Sequence, residues 1–351
     1  MTPATDTPTR DARLEAVRGA GLLLLFALHG ADVRLGTALL LAQVAAVLAA
    51  AIVAGRVFGR TLDRHGLAAC IGRTAYRAAQ YGLAFAGAGL ALLTLRSLGA
   101  LDEFALASWQ AAPGGPVHVL LPLPGDALLY QWRECLMLRV GPVPLQLLAL
   151  CAWLLLATPA LLWLMKHLPP LVPAVAALLW ATLSPAPAWT SAPFELPHPI
   201  DRWIAVWMCG LLIGTRWDAW SRLAPLPRLA LAAVLAAAGF AQLTDVPELS
   251  ALCVAASVTL AAHACLAAWG GAERHPVVGW LRLPAQWPVL AWSGHGAALL
   301  LLAVLAPRTP SLLWTANLIG LGLVVALGWA AERRQTRRAQ LSCTVSSRVL
   351  V

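Results

Sequence analysis

Apolar runs close to the length of a membrane-crossing helix recur along the whole chain, separated by short stretches that are basic or rich in proline. About 20 residues of α-helix, rising 1.5 Å each, match the thickness of a hydrocarbon core, so each run is read as one span. Ten are read, at roughly 18–36, 38–57, 77–97, 143–164, 168–185, 201–215, 227–244, 249–270, 284–306 and 312–331, the sixth being the weakest. The pattern predicts an all-α fold, a polytopic transmembrane helix bundle of about 10 helices. Around it lie a cytoplasmic N-terminal segment (1–17) and a basic cytoplasmic tail (332–351), with the transmembrane domain at 18–331 and an outer loop at about 98–142.

Composition sharpens this. The 351 residues are 60% hydrophobic and only 12% charged, about half the charge a soluble domain of this length carries, so the solvent is lipid. Formal net charge is +9, but the arginines are dispersed between apolar runs rather than gathered on one face, which argues against a nucleic-acid partner.

The basic residues set the topology instead. With the N-terminus cytoplasmic and ten spans, the inner side collects 19 of the 25 Lys and Arg, among them Arg13, Arg18, Arg56, Arg60, Arg64, Arg73, Arg77, Lys166, Arg228 and Arg282. The outer side keeps Arg34, Arg96, Arg133, Arg139, Arg202 and Arg308 beside nine acids, including Asp32, Glu134 and Asp201. This is the positive-inside rule, and it predicts that both termini lie in the cytoplasm. The outer loop carries Trp109, His118, Tyr130, Trp132 and Arg133, a set that reads either as a substrate lid or as an interfacial aromatic belt.

Seven cysteines are scattered, with no C-x-x-C pair, so neither a disulfide framework nor a metal site is expected. A cleaved secretory signal is a poor reading of the N-terminus, because the apolar stretch is interrupted by His29, Asp32 and Arg34 and no small-x-small site follows it.

Ionisable side chains inside spans cost roughly 2.5–3.5 kcal/mol on insertion scales and are therefore candidates for function. His29 lies about 16 Å beyond the Arg18 end of the first span, and His295 roughly 20 Å beyond Arg282 in the ninth, so the two share a depth where they can serve as base and second polar group. His263, among small apolar neighbours in the eighth span, reads as a helix-packing or backbone-bonded histidine. Arg18, one turn deeper than Glu15, stands at the membrane entrance as an anion contact or as an inner-leaflet anchor. The second loop, from Gly55 to Arg77, brings Arg56, Arg60, Arg64, Arg73 and Arg77 to the inner face, a polyanion site suited equally to a nucleotide's phosphates and to anionic lipid.

Several of these segments resemble, in order, one family. Arg10-Asp11-x-Arg13-Leu14-Glu15-x-x-Arg18-Gly19, then an apolar run ending Leu28-His29, is similar to the opening of the OpgC family of bacterial membrane acyltransferases. Gly55-Arg56-Val57-Phe58-Gly59-Arg60, Arg73-x-x-x-Arg77 with Gln80-Tyr81, Leu138-Arg139-x-x-Pro142, Pro197-x-Pro199-Ile200-Asp201-x-Trp203 and Leu281-Arg282-Leu283-Pro284 follow the family's later segments. The resemblance implies transfer of an acyl group, succinyl in the family's usual chemistry, from a cytoplasmic acyl-CoA co-substrate to a periplasmic glucan or other saccharide acceptor. No permanently bound cofactor is implied.

Carried over, it makes 18–331 an acyltransferase-like domain, His29 the base, and Arg18, Arg56, Arg60, Arg73 and Arg77 the donor-phosphate contacts. One departure matters: Leu28 stands where the family has an aspartate before the histidine, removing the carboxylate that would orient the imidazole. Asp32, one turn further on the same face, is the candidate substitute, and His295 a second polar group. The departure leaves open a rival reading, a catalytically inactive accessory or binding membrane protein of the same family. A transporter would call for paired repeats, and none is found.

Overall fold

The computed structural model describes residues 11–28, 36–98, 108–110, 117–119, 127–138, 145–169, 172–173, 175–177, 200–240, 247–269, 271–305, 319–331 and 333–334. Among them the chain is helical apart from one short antiparallel hairpin, β1 (Ser108–Gln110) with β2 (Val117–Val119), where Trp109 faces His118 in register. The helices are α1 (Ala12–Leu28), α2 (Gly36–Ser97), α3 (Leu128–Leu136), α4 (Gln146–His167), α5 (Ile200–Thr215), α6 (Trp217–Arg222), α7 (Pro225–Phe240), α8 (Pro247–Ala268), α9 (Pro276–Gln286) and α10 (Pro288–Leu305). A last helix, α11, runs Ile319–Ala331.

Helices Leu40–Ser97, Gln146–His167 and Ser250–Ala268 are each long and apolar enough to cross a membrane, and Trp203–Thr215, Pro225–Ala237 and Ile319–Ala331 are shorter apolar helices. Most of the fifth expected span lies outside the described residues.

The bundle is arranged for lipid: Leu83, Leu226 and Val234 are exposed, whereas Thr158, Arg228, His263 and His295 are buried. Polar groups that hydrocarbon cannot solvate turn inward.

Two expectations change. The segment between the second and third spans is not a loop, for α2 is helical on both sides of Gly66, whose φ of 81° and ψ of 178° form the only non-helical step. A positive φ costs a side-chain-bearing residue, so glycine sits at the turn. Residues twelve apart in a straight helix would be separated by about 18 Å. Cys70 Sγ nevertheless reaches the Phe58 carbonyl at 3.7 Å and Arg73 Nη1 reaches Thr61 Oγ1 at 3.1 Å, so the two arms, 36–65 and 67–97, fold back as a hairpin. The ninth span begins at Pro288 rather than near 284, because residues up to Gln286 belong to the separate helix α9. Proline has no N–H to donate and pushes the residue before it out of the helical region, here Trp287 at φ −122°, ψ 54°.

The α2 hairpin packs against α4 and α5, while α1 packs along α9 and α2 and α7 pairs with α8. The α2–α5 contact is very close. A Cβ on Gly210 would stand 2.4 Å from that of Ala51, and one on Gly214 2.2 Å from the Ile52 carbonyl. This G-x-x-x-G spacing is the usual device for bringing helix backbones together where lipid supplies no hydrophobic drive.

Candidate functional site, an arginine-lined cavity

The site is assembled from α1, the α2 hairpin, α4, α5 and α9. Asp11 starts α1: its Oδ1 accepts the Arg13 amide at 3.1 Å and the Leu14 amide at 3.2 Å, an N-cap that satisfies two otherwise orphaned donors. One turn in, Glu15 Oε2 accepts from Arg282 Nε and from Gln286 Nε2, both at 3.2 Å, strapping α1 to α9. Gly19 completes the fit, since a Cβ there would fall 1.6 Å from the Leu281 carbonyl oxygen. Between these contacts Arg18 reaches across and donates to the Ala285 carbonyl at 3.3 Å.

The α2 hairpin supplies the opposing wall. Arg56 and Arg60 are four apart on its first arm and Arg73 and Arg77 four apart on its second, so each pair lies on one helix face. With Arg18 they line a single cavity of about 700 Å³, within the usual 300–1,000 Å³ range of small-molecule sites. Leu14, Val53, Leu155 and Trp207 make part of its wall apolar.

The five guanidiniums are not equivalent. Arg56 and Arg60 both pair with Asp218 of α6, Arg56 at 3.3 Å, and Arg56 also stands 4.0 Å from Asp11. Arg18, Arg73 and Arg77 bond only neutral acceptors among the described residues: the Ala285 carbonyl, the Thr61 hydroxyl, and Gln80 Oε1 at 2.7 Å. Arg77 also lies over the Tyr81 ring, 5.6 Å from its centroid. Arg56 Nε is buried without a hydrogen-bond partner. Asp11 and Glu15 line the same cavity, and with Asp218 they set three carboxylates against the five guanidiniums, which leaves the wall with a net positive charge.

Behind the cavity lies a closed polar cluster. Asp11 Oδ2 accepts from Trp217 Nε1 at 2.8 Å and from His263 Nε2 at 3.4 Å, and His263 Nδ1 stands 2.8 Å from Arg228 Nη1. Arginine only donates, so Nδ1 accepts and the proton sits on Nε2, facing Asp11. Burial pushes the Asp11 carboxyl up, but hydrogen bonds from His263, Trp217 and the Leu14 amide outweigh it and hold the group well below the ordinary carboxylate value. His263 is buried and packs edge-on against the Trp217 ring, as a packing histidine would, and its polar bonds go to a carboxylate and a guanidinium rather than to backbone.

Of the expected catalytic residues, His29 and Asp32 lie outside the described residues. His295 is fully buried, stacks on Phe26 with ring centroids 4.3 Å apart, and is not part of the cavity wall. The stacking brings α10 against the C-terminal end of α1.

The sequence reading missed Asp11, Tyr76, Gln80 and Asp218, although Asp11 and Gln80 stand inside segments it had singled out, and it named His263 without its side-chain partners. The charges it assigned to one side do meet. Arg13 pairs with Glu273 at 3.0 Å, Lys166 with Asp63 at 2.9 Å and Arg282 with Glu15 at 3.2 Å, while no ion pair among the described residues joins this set to Arg96 or Arg133.

Compared with known protein families, residues 10–292 match the family described as OpgC protein. No curated protein and no solved structure matches the chain. The match takes in α1, the α2 hairpin, α4, α5 and α9, which line the cavity, and α6, which carries Asp218, and on it the chain belongs to the OpgC family.

Proposed function

We propose that the protein is a membrane O-acyltransferase that takes an acyl group from a cytoplasmic acyl-CoA and places it on a periplasmic glucan or related saccharide. The observation that carries this reading is the cavity itself, with five arginines around about 700 Å³, three of them bonded only to neutral acceptors. A coenzyme A thioester brings several phosphate charges on a long, thin chain. The arginines take the phosphates, and the apolar wall takes the pantetheine arm. In this reading the chain lies in the bacterial inner membrane with about ten spans and both termini cytoplasmic, so that the cavity opens inward.

His29 is the proposed base. It accepts the proton of a sugar hydroxyl as that oxygen attacks the thioester carbonyl; the C–O bond forms, the C–S bond breaks, and the proton passes on to the departing thiolate. Asp32 is the proposed carboxylate partner in place of the family's aspartate, and His295 a second polar group. Succinyl is the acyl group the family implies.

The test is release of free coenzyme A by the purified protein in detergent, given succinyl-CoA or acetyl-CoA with a periplasmic glucan, beside His29→Ala. Acceptor-dependent release that His29→Ala abolishes is the expected outcome. No release with either donor, from protein shown to be folded, supports the second reading, an accessory binding protein of the same family. Leu28 in place of the orienting aspartate is the observation that favours that alternative.

A further inference from the structure

One aromatic ring on the cavity wall is left unused by the phosphate contacts. Tyr76 lines the cavity on the second arm of α2, is 70% exposed, and makes no hydrogen bond or ring contact with any described residue. Its helix neighbours one turn away are Gly72, Arg73 and Gln80, all on the same wall. Gly72 has no side chain, and a Cβ built there would meet nothing within 4 Å, so open space lies one turn before the phenol ring. Arg73 and Arg77 line the same cavity on the same arm. An exposed ring beside open space, on a wall that also carries guanidiniums, can take a base by stacking and the attached phosphates by charge.

We infer that Tyr76, with the slot left by Gly72, recognises the purine base of the nucleotide-bearing acyl donor, making it a specificity residue at the cavity mouth. The inference rests on the acyl-CoA reading above. An interfacial tyrosine serving only as a bilayer anchor would not need its neighbour to be glycine, nor three cavity-wall residues on its own face.

Binding of coenzyme A and of phosphopantetheine, which lacks the adenosine, to the full-length protein in nanodiscs separates the possibilities. Tyr76→Ala is expected to weaken coenzyme A about tenfold, the lower range of base stacking, and to leave phosphopantetheine unchanged. Tyr76→Phe keeps the ring and should bind both ligands as the unaltered protein does. Gly72→Leu fills the slot while improving helix propensity, so it should fold and show the same selective loss as Tyr76→Ala. If Tyr76→Ala and Gly72→Leu leave coenzyme A binding unchanged, or weaken both ligands equally, the base-recognition role is overturned and the donor reading stands. If the unaltered protein binds neither ligand, the donor reading falls and this inference with it.

Discussion

Arginines occupy this bundle in two different ways. Arg228, 3% exposed, is closed against His263, and Arg96, 8% exposed, donates to Gln131 Oε1 at 2.6 Å. Arg18, Arg73 and Arg77 make equally good bonds to neutral acceptors but keep part of the guanidinium on an open cavity. A closed arginine has its charge absorbed by the fold, and removing its partner costs stability. An open one leaves charge for a molecule that comes and goes, so removing it costs binding. Burial follows the same division, for Arg228 and Arg96 are buried, Arg18 and Arg77 half-buried and Arg73 exposed. What separates them is whether the space beside the guanidinium is filled.

Asp11 is where that distinction is easiest to break, because it caps α1, bonds Trp217 and His263, and lines the cavity. Asp11→Ala removes the cap and leaves the His263–Arg228 pair without its carboxylate, for a loss of about 3 kcal/mol. The measurement is the thermal unfolding midpoint in nanodiscs. An unchanged midpoint would mean that the cluster is held by α7 and α8 packing alone.

Its pH dependence sharpens the same point. A carboxyl whose folded value is depressed stabilises the fold above its unfolded value, near 3.8, and loses that contribution as pH falls below it. The unfolding midpoint should therefore drop between about pH 5 and about pH 3, and Asp11→Asn should flatten that slope by removing the titrating group.

The open class is tested by Arg73→Ala and Arg77→Ala. Each loses charge-assisted contacts worth about 1.5–3 kcal/mol, so coenzyme A affinity should fall at least about tenfold. The unfolding midpoint should stay near that of the unaltered protein, because each arginine gives up one bond to a neutral acceptor. A midpoint loss as large as that of Asp11→Ala would place these arginines in the closed class.

How much of this was legible beforehand differs between the two classes. Arg56, Arg60, Arg73 and Arg77 were legible as an anion site from their clustering on the inner face, and Arg18 joined them through the family resemblance. Their spacing by four puts each α2 pair on one face only because the segment is helical and not the loop that was expected. The hairpin that turns those faces toward Arg18 depends on the backbone at Gly66, which hydropathy does not register because the residues on both sides are helical. The closed class was not legible at all. Asp11, Trp217, Arg228 and His263 come from four places in the chain, and only the packing of α1, α6, α7 and α8 makes them neighbours. The break at Trp287–Pro288 was missed for another reason: the apolar pattern runs straight through it, and only the proline signals where α10 begins.

The smallest expected effect has the most informative sign. Asp218 is half exposed, and both its bonds go to cavity arginines, Arg56 and Arg60. Burial pushes its carboxyl up, but the hydrogen bond and charge of Arg60, then the charge of Arg56, hold it below its ordinary value, so it stays ionised at neutral pH. At this exposure the pairs contribute about 0.5 kcal/mol or less to stability, and Asp218→Asn should barely move the unfolding midpoint. Its effect on the donor is different. While Asp218 is ionised, a phosphate arriving at Arg56 and Arg60 has to displace a carboxylate already bonded to them, so the acid is a competitor held within the fold. Removing the charge should tighten coenzyme A binding about twofold, the fold-change matching the pair's own small free energy. The arginine variants can only weaken binding, so a gain in Asp218→Asn cannot come from general damage to the site. Weaker binding in that variant would instead mean that Asp218 aims the two guanidiniums at the cavity, and would move Arg56 and Arg60 into the closed class.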